Sequence, residues 1–253
     1  RVFEFYGAAD GNVGFTNTFN IDGSVGWCTT KFAIVKYDIE SNTPHINKEG
    51  HFEKVKKGSV GLLISEINKK TPFDGYVNIK SNSGKIFENA FENGDAWFNT
   101  GDLMRDLGFK HAQFADRLGD TFRWKGENVA TAEVEELANK IDDIKICTAY
   151  GIEIPKNDGK AGALAFTSDV QPETFDFKGL MNIFENNLPS YAFPIFLRFV
   201  EQFEMTATYK IKKLSLKSQG FECTDKMFIR LPKSKEYVEL TKEIKDNLKK
   251  GNY

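Results

Sequence analysis

Residues 119–137 carry the string GDTFRWKGENVATAEVEEL, which constrains the fold of this chain more than any other stretch. Small, aromatic and basic residues alternate over 121–124, as they do in a half-buried strand. Gly126 ends that strand and predicts a turn with a positive φ or a close approach by another group. Thr131 is then a candidate N-cap, since apolar residues follow it at helical spacing. The pattern predicts a strand, a glycine turn and a helix, which is one supersecondary unit of an α/β domain.

The composition indicates a globular chain large enough for one large domain or two ordinary ones, since 40% of its 253 residues are hydrophobic and 28% are charged. The 34 basic and 36 acidic residues give a net charge of −2, which does not favour nucleic acid. Three cysteines in no metal-binding spacing favour a reducing compartment over a disulfide framework. No run of about 18 apolar residues is present, so we expect no transmembrane helix in this chain.

The region up to residue 115 is rich in glycine, asparagine and short β-like runs, which predicts a small barrel or sheet. Its predicted strands are residues 2–6, 59–64, 75–79 and 110–115. We expect the first of them to stop at Gly7. Because the chain begins at Arg1, and not at Met, within that strand, we also expect it to be the C-terminal part of a longer protein.

From residue 131 onward, helix and strand patterns alternate, which predicts a small α+β or α/β domain. The predicted elements are strands at 144–154, 161–167 and 195–200 and helices at 174–188 and 236–250. Pro189 ends the first of these helices, because proline cannot continue it. We expect the strand at 195–200 to be the last of the domain.

Two segments can carry chemistry. Asp102 follows Thr100 and Gly101 and is predicted to lie in a turn at a strand end, where its carboxylate can accept two hydrogen bonds from vicinal ribose hydroxyls. A turn aspartate is also a common turn former, and the pattern leaves both interpretations open. The second segment is a lysine-rich loop, which suits a solvated surface, a phosphate or anionic-lipid patch, or a catalytic lysine. Its lysines are Lys210, Lys212, Lys213 and Lys217.

The string at 119–137, and above all FRWKGEN at 122–128, is similar almost residue for residue to the signature of the fatty acid transport protein and very-long-chain acyl-CoA synthetase family, a branch of the adenylate-forming enzymes. Other segments also resemble blocks of that family: YGAADGN at 6–12, TGD at 100–102, Asp116-Arg117 and MTATYK at 205–210. The resemblance implies an α/β (α+β) fold in which residues 1–116 form the C-terminal part of the large, mostly β, AMP-binding domain. Residues 117–253 would form a small mobile α+β lid domain, with a hinge near 117–120.

The resemblance also implies a nucleotide site in the first of these domains, formed by Tyr6, Gly7, Ala9, Asp102 and Arg117. Tyr6 would pack on the adenine, and Arg117 would add a second contact to the ribose bound by Asp102. Asp10 takes the position of a magnesium-binding glutamate, and Ala9 that of a phosphate-contacting threonine. Both depart from the family, because aspartate is one methylene shorter than glutamate and alanine has no hydroxyl.

In the second domain, the resemblance implies a catalytic residue at Lys210, in the place of the lysine that bridges the acyl carboxylate and the α-phosphate. Gly126 and Glu127 would face CoA, and the glycine would leave room for the pantetheine arm. Gly119 and Asp120 would form the hinge about which the lid turns between the two half-reactions.

The implied activity is the ligation of long or very long fatty acids to CoA through an acyl-adenylate, with ATP, Mg²⁺ and CoA as cofactors and with a link to fatty acid uptake. The parent protein is expected at a membrane of the endoplasmic reticulum, the peroxisome or the cell surface. Its catalytic part would face the cytoplasm, and the parent would contact the membrane surface. No nucleic acid partner is expected.

Nothing in residues 1–253 resembles the Ser/Thr/Gly-rich phosphate loop of the family, so we expect this chain alone to be inactive. A catalytically degenerate member that binds lipid or nucleotide and supports fatty acid uptake is the alternative, and Ala9 and Asp10 favour it. An unrelated two-domain structural protein is a third hypothesis, which the match at 119–137 disfavours.

Overall fold

The computed structural model describes residues 4–8, 13–39, 41–73, 84–207 and 209–253. The chain divides into two compact units, Arg1–Gly119 and Asp120–Tyr253. Strands occur in both units, and all helices among the described residues belong to the second, so the architecture is mixed α/β and rich in strands. The assignment of residues 1–116 to a large domain and of 117–253 to a lid stays a prediction.

The first unit is built on an antiparallel sheet. Its strands within the described residues are β1 (Phe5–Ala8), β2 (Val13–Thr16), β3 (Gly26–Trp27), β4 (Phe32–Val35), β5 (Tyr37–Asp38), β6 (Thr43–Pro44), β7 (Val60–Glu66), β8 (Ile86–Glu88), β9 (Ala96–Gly108) and β10 (His111–Arg117). The sheet order is β1-β2-β3-β10-β9-β7-β4, with β8 beside β9, while β5 and β6 pair separately. Strand β7 is apolar throughout its centre because both of its faces are covered: Leu62 and Ile64 pack into one apolar cluster and Leu63 into another.

The predicted strands at 59–64 and 110–115 are confirmed as β7 and β10 with shifted ends, while 75–79 lies outside the described residues. The expectation that the first strand stops at Gly7 is wrong. Gly7 is opposite Gly14 of β2, and β1 continues to Ala8, because the backbone ladder does not need a side chain.

The expectation that Thr100-Gly101-Asp102 ends a strand is also wrong, since these residues lie inside β9. Leu62 of β7 is opposite Leu103, whereas Ile64 is opposite Asn99, so extra residues bulge out of β9 between these pairs. Gly101 has a φ of 75°, which allows the bulge. The Thr100 hydroxyl donates to the carbonyl of Leu63 at 2.7 Å and accepts from the Asp102 amide at 3.1 Å.

The second unit is a five-stranded sheet with helices and a leading hairpin. Its elements are β11 (Phe122–Trp124), β12 (Glu127–Val129), α1 (Thr131–Ala138), β13 (Ile144–Glu153), β14 (Lys160–Ser168), α2 (Phe177–Asn187), β15 (Phe196–Phe199), α3 (Lys213–Gln219), β16 (Met227–Arg230), β17 (Tyr237–Glu239) and α4 (Lys242–Lys249). The sheet order follows the chain from β13 to β17, and only the β14–β15 pair is parallel. Helix α2 packs Leu180, Met181 and Phe184 into the core of this unit.

The predicted helix starts need correction. Thr131 is not an N-cap: Ala130 occupies that position without a side-chain cap, and the buried Thr131 is the first helical residue. Helix α2 begins at Phe177, because the Asp176 carboxylate caps it by accepting from the Gly179 amide at 2.9 Å. It ends before Pro189, as predicted.

The strand at 195–200 is not the last of its domain, since β16 and β17 extend the sheet beyond it. The helix expected at 236–250 therefore begins only at Lys242, after Thr241 as its N-cap. The hydroxyl of Tyr237, which the prediction placed in that helix, is buried and donates to the carbonyl of Pro194 at 2.6 Å. In the described part of the chain, no helix combines the length and the apolar character that a membrane crossing requires.

Candidate functional site

Three of the residues assigned to the nucleotide meet in the first unit. The hydroxyl of Tyr6, on β1, donates to Asp102 Oδ2 at 2.6 Å, and Asp102 lies in the bulge of β9. Arg117, at the end of β10, places its Nε 3.8 Å from Asp102 Oδ1. The bulge thus directs one carboxylate towards both a phenol and a guanidinium. The Asp102 side chain is only 15% exposed, while that of Arg117 is 61% exposed.

The Tyr6 ring is positioned by other aromatic rings. Its centroid lies 5.9 Å from that of Phe15, edge to face, and 6.5 Å from that of Phe114. Burial raises the pKa of the Tyr6 phenol, and the hydrogen bond to Asp102 raises this pKa further. The phenol therefore remains a neutral donor at physiological pH. The Tyr6 hydroxyl fixes one oxygen of Asp102. The remaining lone pairs of the Asp102 carboxylate can accept hydrogen bonds from ligand hydroxyls.

Of the other predicted residues of this site, Gly7 is described and is not part of the cluster. Gly7 is exposed, and a Cβ added there would meet no atom within 4 Å, so packing does not explain a glycine at this position. Ala9 and Asp10 lie outside the described residues. Among the residues that the structure describes, no group of three or more His, Cys, Asp or Glu side chains could hold a metal ion.

The hairpin of β11 and β12 carries the residues assigned to CoA. Lys125 and Gly126 have φ values of 50° and 85° and connect the strands as a two-residue turn of the type that needs positive φ at both positions. The predicted positive φ at Gly126 is confirmed. Lys125, Gly126 and Glu127 are exposed, whereas Phe122 and Trp124 are buried. A Cβ at Gly126 would meet no atom within 4 Å, so the backbone conformation alone favours glycine in this unit.

Lys210 lies at the end of a narrow loop that Thr206 closes. The Lys210 carbonyl accepts from the Thr206 amide at 2.8 Å, and the Lys210 amide donates to the Thr206 hydroxyl at 3.0 Å. Two positions further out on each side of the loop, the Lys212 amide donates to the carbonyl of Glu204 at 2.8 Å. The Lys210 side chain is exposed, and its ammonium forms no hydrogen bond or ion pair with any residue that the structure describes.

The neighbouring lysines form ion pairs within the second unit. Lys212 Nζ lies 2.5 Å from Glu204 Oε1, on the surface. Lys213 Nζ lies 3.0 Å from Glu135 Oε1 and 3.4 Å from Asp120 Oδ2. Lys217 Nζ lies 3.5 Å from Asp120 Oδ1. The segment is therefore not a patch of equivalent free cations, because three of its four lysines are next to carboxylates.

The two predicted hinge residues differ in their surroundings. Asp120 is the first residue of the second unit, and its carboxylate is bound by the two lysines of α3. Gly119 is the last residue of the first unit, and a Cβ added there would meet no atom within 4 Å. Whether the chain bends at this point stays a prediction.

Glu135 is a functional candidate that the sequence analysis did not single out. Its Oε1 accepts from the Ala149 amide at 2.8 Å, the Thr148 hydroxyl at 3.0 Å and Lys213 Nζ at 3.0 Å. Burial raises the pKa of the adjacent Cys147 thiol to about 12, and Glu135 contributes to this rise, so Cys147 is not a thiolate nucleophile at neutral pH. The sequence carried no signal for these contacts, because the partners of Glu135 lie 13, 14 and 78 residues away.

The chain is similar in sequence to a fatty acid–CoA ligase and to fatty acid transport proteins. No protein-family model matches the chain. It is 40% identical over 253 residues to the medium/long-chain-fatty-acid–CoA ligase FadD6 of Mycobacterium tuberculosis. The aligned residues cover 99% of this chain and 42% of the ligase. It is also 40% identical over 255 residues to long-chain fatty acid transport protein 6 of Mus musculus, covering 96% of this chain and 41% of that protein. The chain thus spans about two fifths of the length of these relatives.

A solved structure shows the same fold at low sequence identity. The crystal structure of ATP-bound MatB from Rhodopseudomonas palustris superposes with a TM-score of 0.65 and 18% identity, covering 86% of this chain and 40% of that one. At this identity the likeness concerns the fold alone, and the fold matches part of an adenylate-forming enzyme.

Proposed function

This chain belongs to the family of fatty acid transport proteins and FadD-type acyl-CoA ligases, within the adenylate-forming superfamily, and on that premise we propose that the protein containing it, the parent protein, is a long-chain or very-long-chain fatty acid–CoA ligase. Its substrates are the fatty acid, ATP and CoA. The observation that carries the proposal is the contrast within the lysine-rich segment: three lysines are bound by carboxylates, whereas the exposed Lys210 is presented by a closed loop.

The cluster of Tyr6, Asp102 and Arg117 supports a nucleotide site. Vicinal hydroxyls of a ribose can both donate to one carboxylate, and Asp102 is held in a fixed orientation by the Tyr6 phenol. Arg117 is exposed and can contact the same sugar. The Tyr6 ring would offer its free surface to the adenine.

Lys210 would act in the first half-reaction. Negative charge builds up between the attacking carboxylate and the α-phosphate, and an ammonium placed there stabilises the transition state more than the ground state. The Thr206 contacts restrict the loop backbone, so less entropy is lost when the side chain reaches the substrate. Mg²⁺ would assist at the phosphates, and its expected ligand, Asp10, lies outside the described residues.

The second half-reaction would use the hairpin of β11 and β12. Its exposed turn at Gly126 and Glu127 has no side chain at the glycine, which leaves room for the pantetheine arm of CoA. Residues 117–120 would be the hinge that changes which of Lys210 and Gly126 reaches the adenylate. A link to fatty acid uptake and a location at a membrane belong to the same proposal.

The experiment measures the two half-reactions of the parent protein separately. Lys210→Ala should lower adenylate formation, followed as pyrophosphate release, by ~10²-fold or more. Transfer of CoA to acyl-adenylate supplied ready-made should remain within a few-fold of wild type. Lys212→Ala is the matched control, since its side chain is bound to Glu204 at the surface. Equal losses for the two variants, or for the two half-reactions, would contradict the assignment of Lys210.

A catalytically degenerate protein that binds nucleotide or lipid is the second candidate function. The observation that favours it is the pair of departures at Ala9 and Asp10, where a hydroxyl and a methylene are missing relative to the family. This candidate predicts that the parent protein binds ATP but exchanges no pyrophosphate into it, even with saturating fatty acid.

A further inference from the structure

Lys213 lies at the centre of a partly buried group of charges. Its ammonium is 3.0 Å from Glu135 Oε1, 3.4 Å from Asp120 Oδ2 and 3.4 Å from the Thr131 hydroxyl. Lys217 adds a second cation 3.5 Å from Asp120. The Lys213 side chain is 18% exposed, and those of Glu135 and Asp120 are 25% and 29% exposed. Two lysines and two carboxylates thus neutralise one another in a partly buried position.

This group joins four parts of the second unit. Glu135 belongs to α1 and also accepts from Thr148 and Ala149 of β13. Asp120 is the first residue of the unit. Lys213 is the first residue of α3, and it follows Lys210 by three positions. The downstream end of the Lys210 loop is therefore tied through one side chain to α1, to β13 and to residue 120.

Met205 and Ile211 also hold the two sides of the loop by packing against the core of the unit, but apolar contacts are not directional. The bonds between Thr206 and Lys210 hold the shape of the loop, but they do not connect it to another element. The ion pair of Lys212 with Glu204 joins the two sides of the same loop at the surface, where water weakens it. A charge-assisted bond between partly buried groups is stronger.

We propose that Lys213 is a positioning residue for Lys210: by binding Glu135 and Asp120 it fixes where the Lys210 loop emerges from the second unit. This inference rests on the proposed function. Lys213 does not itself contact the substrate, because the acidic groups around its ammonium already occupy it. Loss of its charge should loosen the attachment of the loop, so that the loop opens more often and Lys210 reaches the α-phosphate less often.

The test compares Lys213→Met, which keeps the length of the side chain and removes its charge, with Lys213→Arg, which restores the charge. In the parent protein, Lys213→Met should lower kcat for adenylation ~10-fold while KM for ATP stays within ~2-fold, and Lys213→Arg should recover most of the loss. CoA transfer from supplied acyl-adenylate should remain within ~2-fold. Lys212→Met is the matched control and should behave as wild type. Equal loss in both half-reactions, no loss, or failure of arginine to recover activity would overturn the proposal.

A structural readout separates this inference from the proposed function. Amide hydrogen exchange over residues 204–212 should be faster in Lys213→Met than in wild type and unchanged in Lys212→Met. If the wild-type parent protein makes no adenylate, the proposed function fails, while the exchange data still test the tie. If Lys213→Met does not fold, Glu135→Gln takes its place, since the amide keeps an acceptor oxygen for β13. Unchanged exchange in the folded variant would overturn the inference.

Discussion

At the scale of single residues, Asp102 shows how context decides the role of a side chain. A turn aspartate at a strand end would be exposed and interchangeable with asparagine, as in many turns. In the fold, Asp102 instead lies in a bulge inside β9, accepts from the Tyr6 hydroxyl at 2.6 Å and faces Arg117. Its second oxygen is the one that a ribose would use under the proposed function.

Asp102→Asn in the parent protein should therefore raise KM for ATP by about 10-fold or more, because a neutral amide accepts hydroxyl donors more weakly than a carboxylate. Steady-state kinetics with saturating fatty acid and CoA measure this effect. Tyr6→Phe is the matched comparison, since it removes the hydroxyl and keeps the ring, and its effect on KM should be smaller. If Asp102→Asn lowers the melting temperature and leaves KM unchanged, the cluster is only a structural tie.

The buried Tyr150 and the half-buried Tyr253 of the second unit predict how its stability depends on pH. Burial raises the pKa of Tyr150 and of Tyr253 to about 12, above the value of about 10 in an unfolded chain. Folding thus favours the neutral phenol, and this contribution to the free energy of unfolding is complete below about pH 10 and is lost as the pH rises to about 12. The Tyr253 hydroxyl donates to the carbonyl of Arg230 at 2.9 Å.

Tyr253→Phe should consequently reduce the fall in stability over this alkaline window, as measured by urea unfolding at a series of pH values. Tyr209→Phe removes a hydroxyl from a ring that is 90% exposed and serves as the control. If the free energy of unfolding falls with pH equally steeply in both variants, burial of Tyr253 is not the cause of the fall.

At the scale of elements, both the backbone geometry of its turn and the packing of its strands determine the conformation of the hairpin of β11 and β12. The Lys125-Gly126 turn needs two positive φ values, while Phe122, Trp124 and Val129 fix the strands in the core. An exposed, strained turn on two anchored strands can hold a ligand-facing backbone in one conformation. This arrangement supports the assignment of the turn to CoA in the proposed function.

Gly126→Ala should lower the free energy of unfolding by about 1 kcal/mol, because alanine is strained at a φ of 85° although its Cβ meets no neighbour. Gly126→Asn should cost less, since asparagine tolerates positive φ. Urea unfolding measures both. In the parent protein, both variants should slow CoA transfer more than adenylation, because both add a Cβ; unaffected transfer would mean that CoA does not pass this turn.

At the scale of the whole molecule, the boundary between the units falls at residues 119 and 120, within the segment expected to be a hinge. Asp120 is tied to α3 by Lys213 and Lys217, so any rotation about the preceding residue would carry the Lys210 segment with it. Gly119 is the residue at which such a rotation needs backbone freedom.

Gly119→Pro in the parent protein should spare one half-reaction and block the other, because proline fixes φ. Pyrophosphate release and CoA transfer from supplied acyl-adenylate report the two steps. Gly119→Ala is the control, since its Cβ would meet no atom within 4 Å and its φ stays free to change. Equal loss of both steps in Gly119→Pro would count against a hinge at this residue.

The sequence by itself determined the features that depend on neighbouring residues. The turn at Gly126, the helix that follows it and the end of α2 before Pro189 were predictable, because local spacing and backbone preferences decide them. The family was predictable from the resemblance of the string at 119–137. The residues themselves made Asp102 a candidate for binding ribose, whereas Tyr6 and Arg117 were indicated only through resemblance.

Only the tertiary structure decided which groups meet. Tyr6 and Asp102 are 96 positions apart, and Glu135 and Lys213 are 78 apart, so no local pattern connects them. The bulge in β9 depends on its register with β7, and the strands after residue 200 depend on the open edge of the sheet that β15 leaves. The partners of the lysines could not be predicted for the same reason. The sequence shows how many lysines there are, whereas the fold decides which of them lie next to a carboxylate.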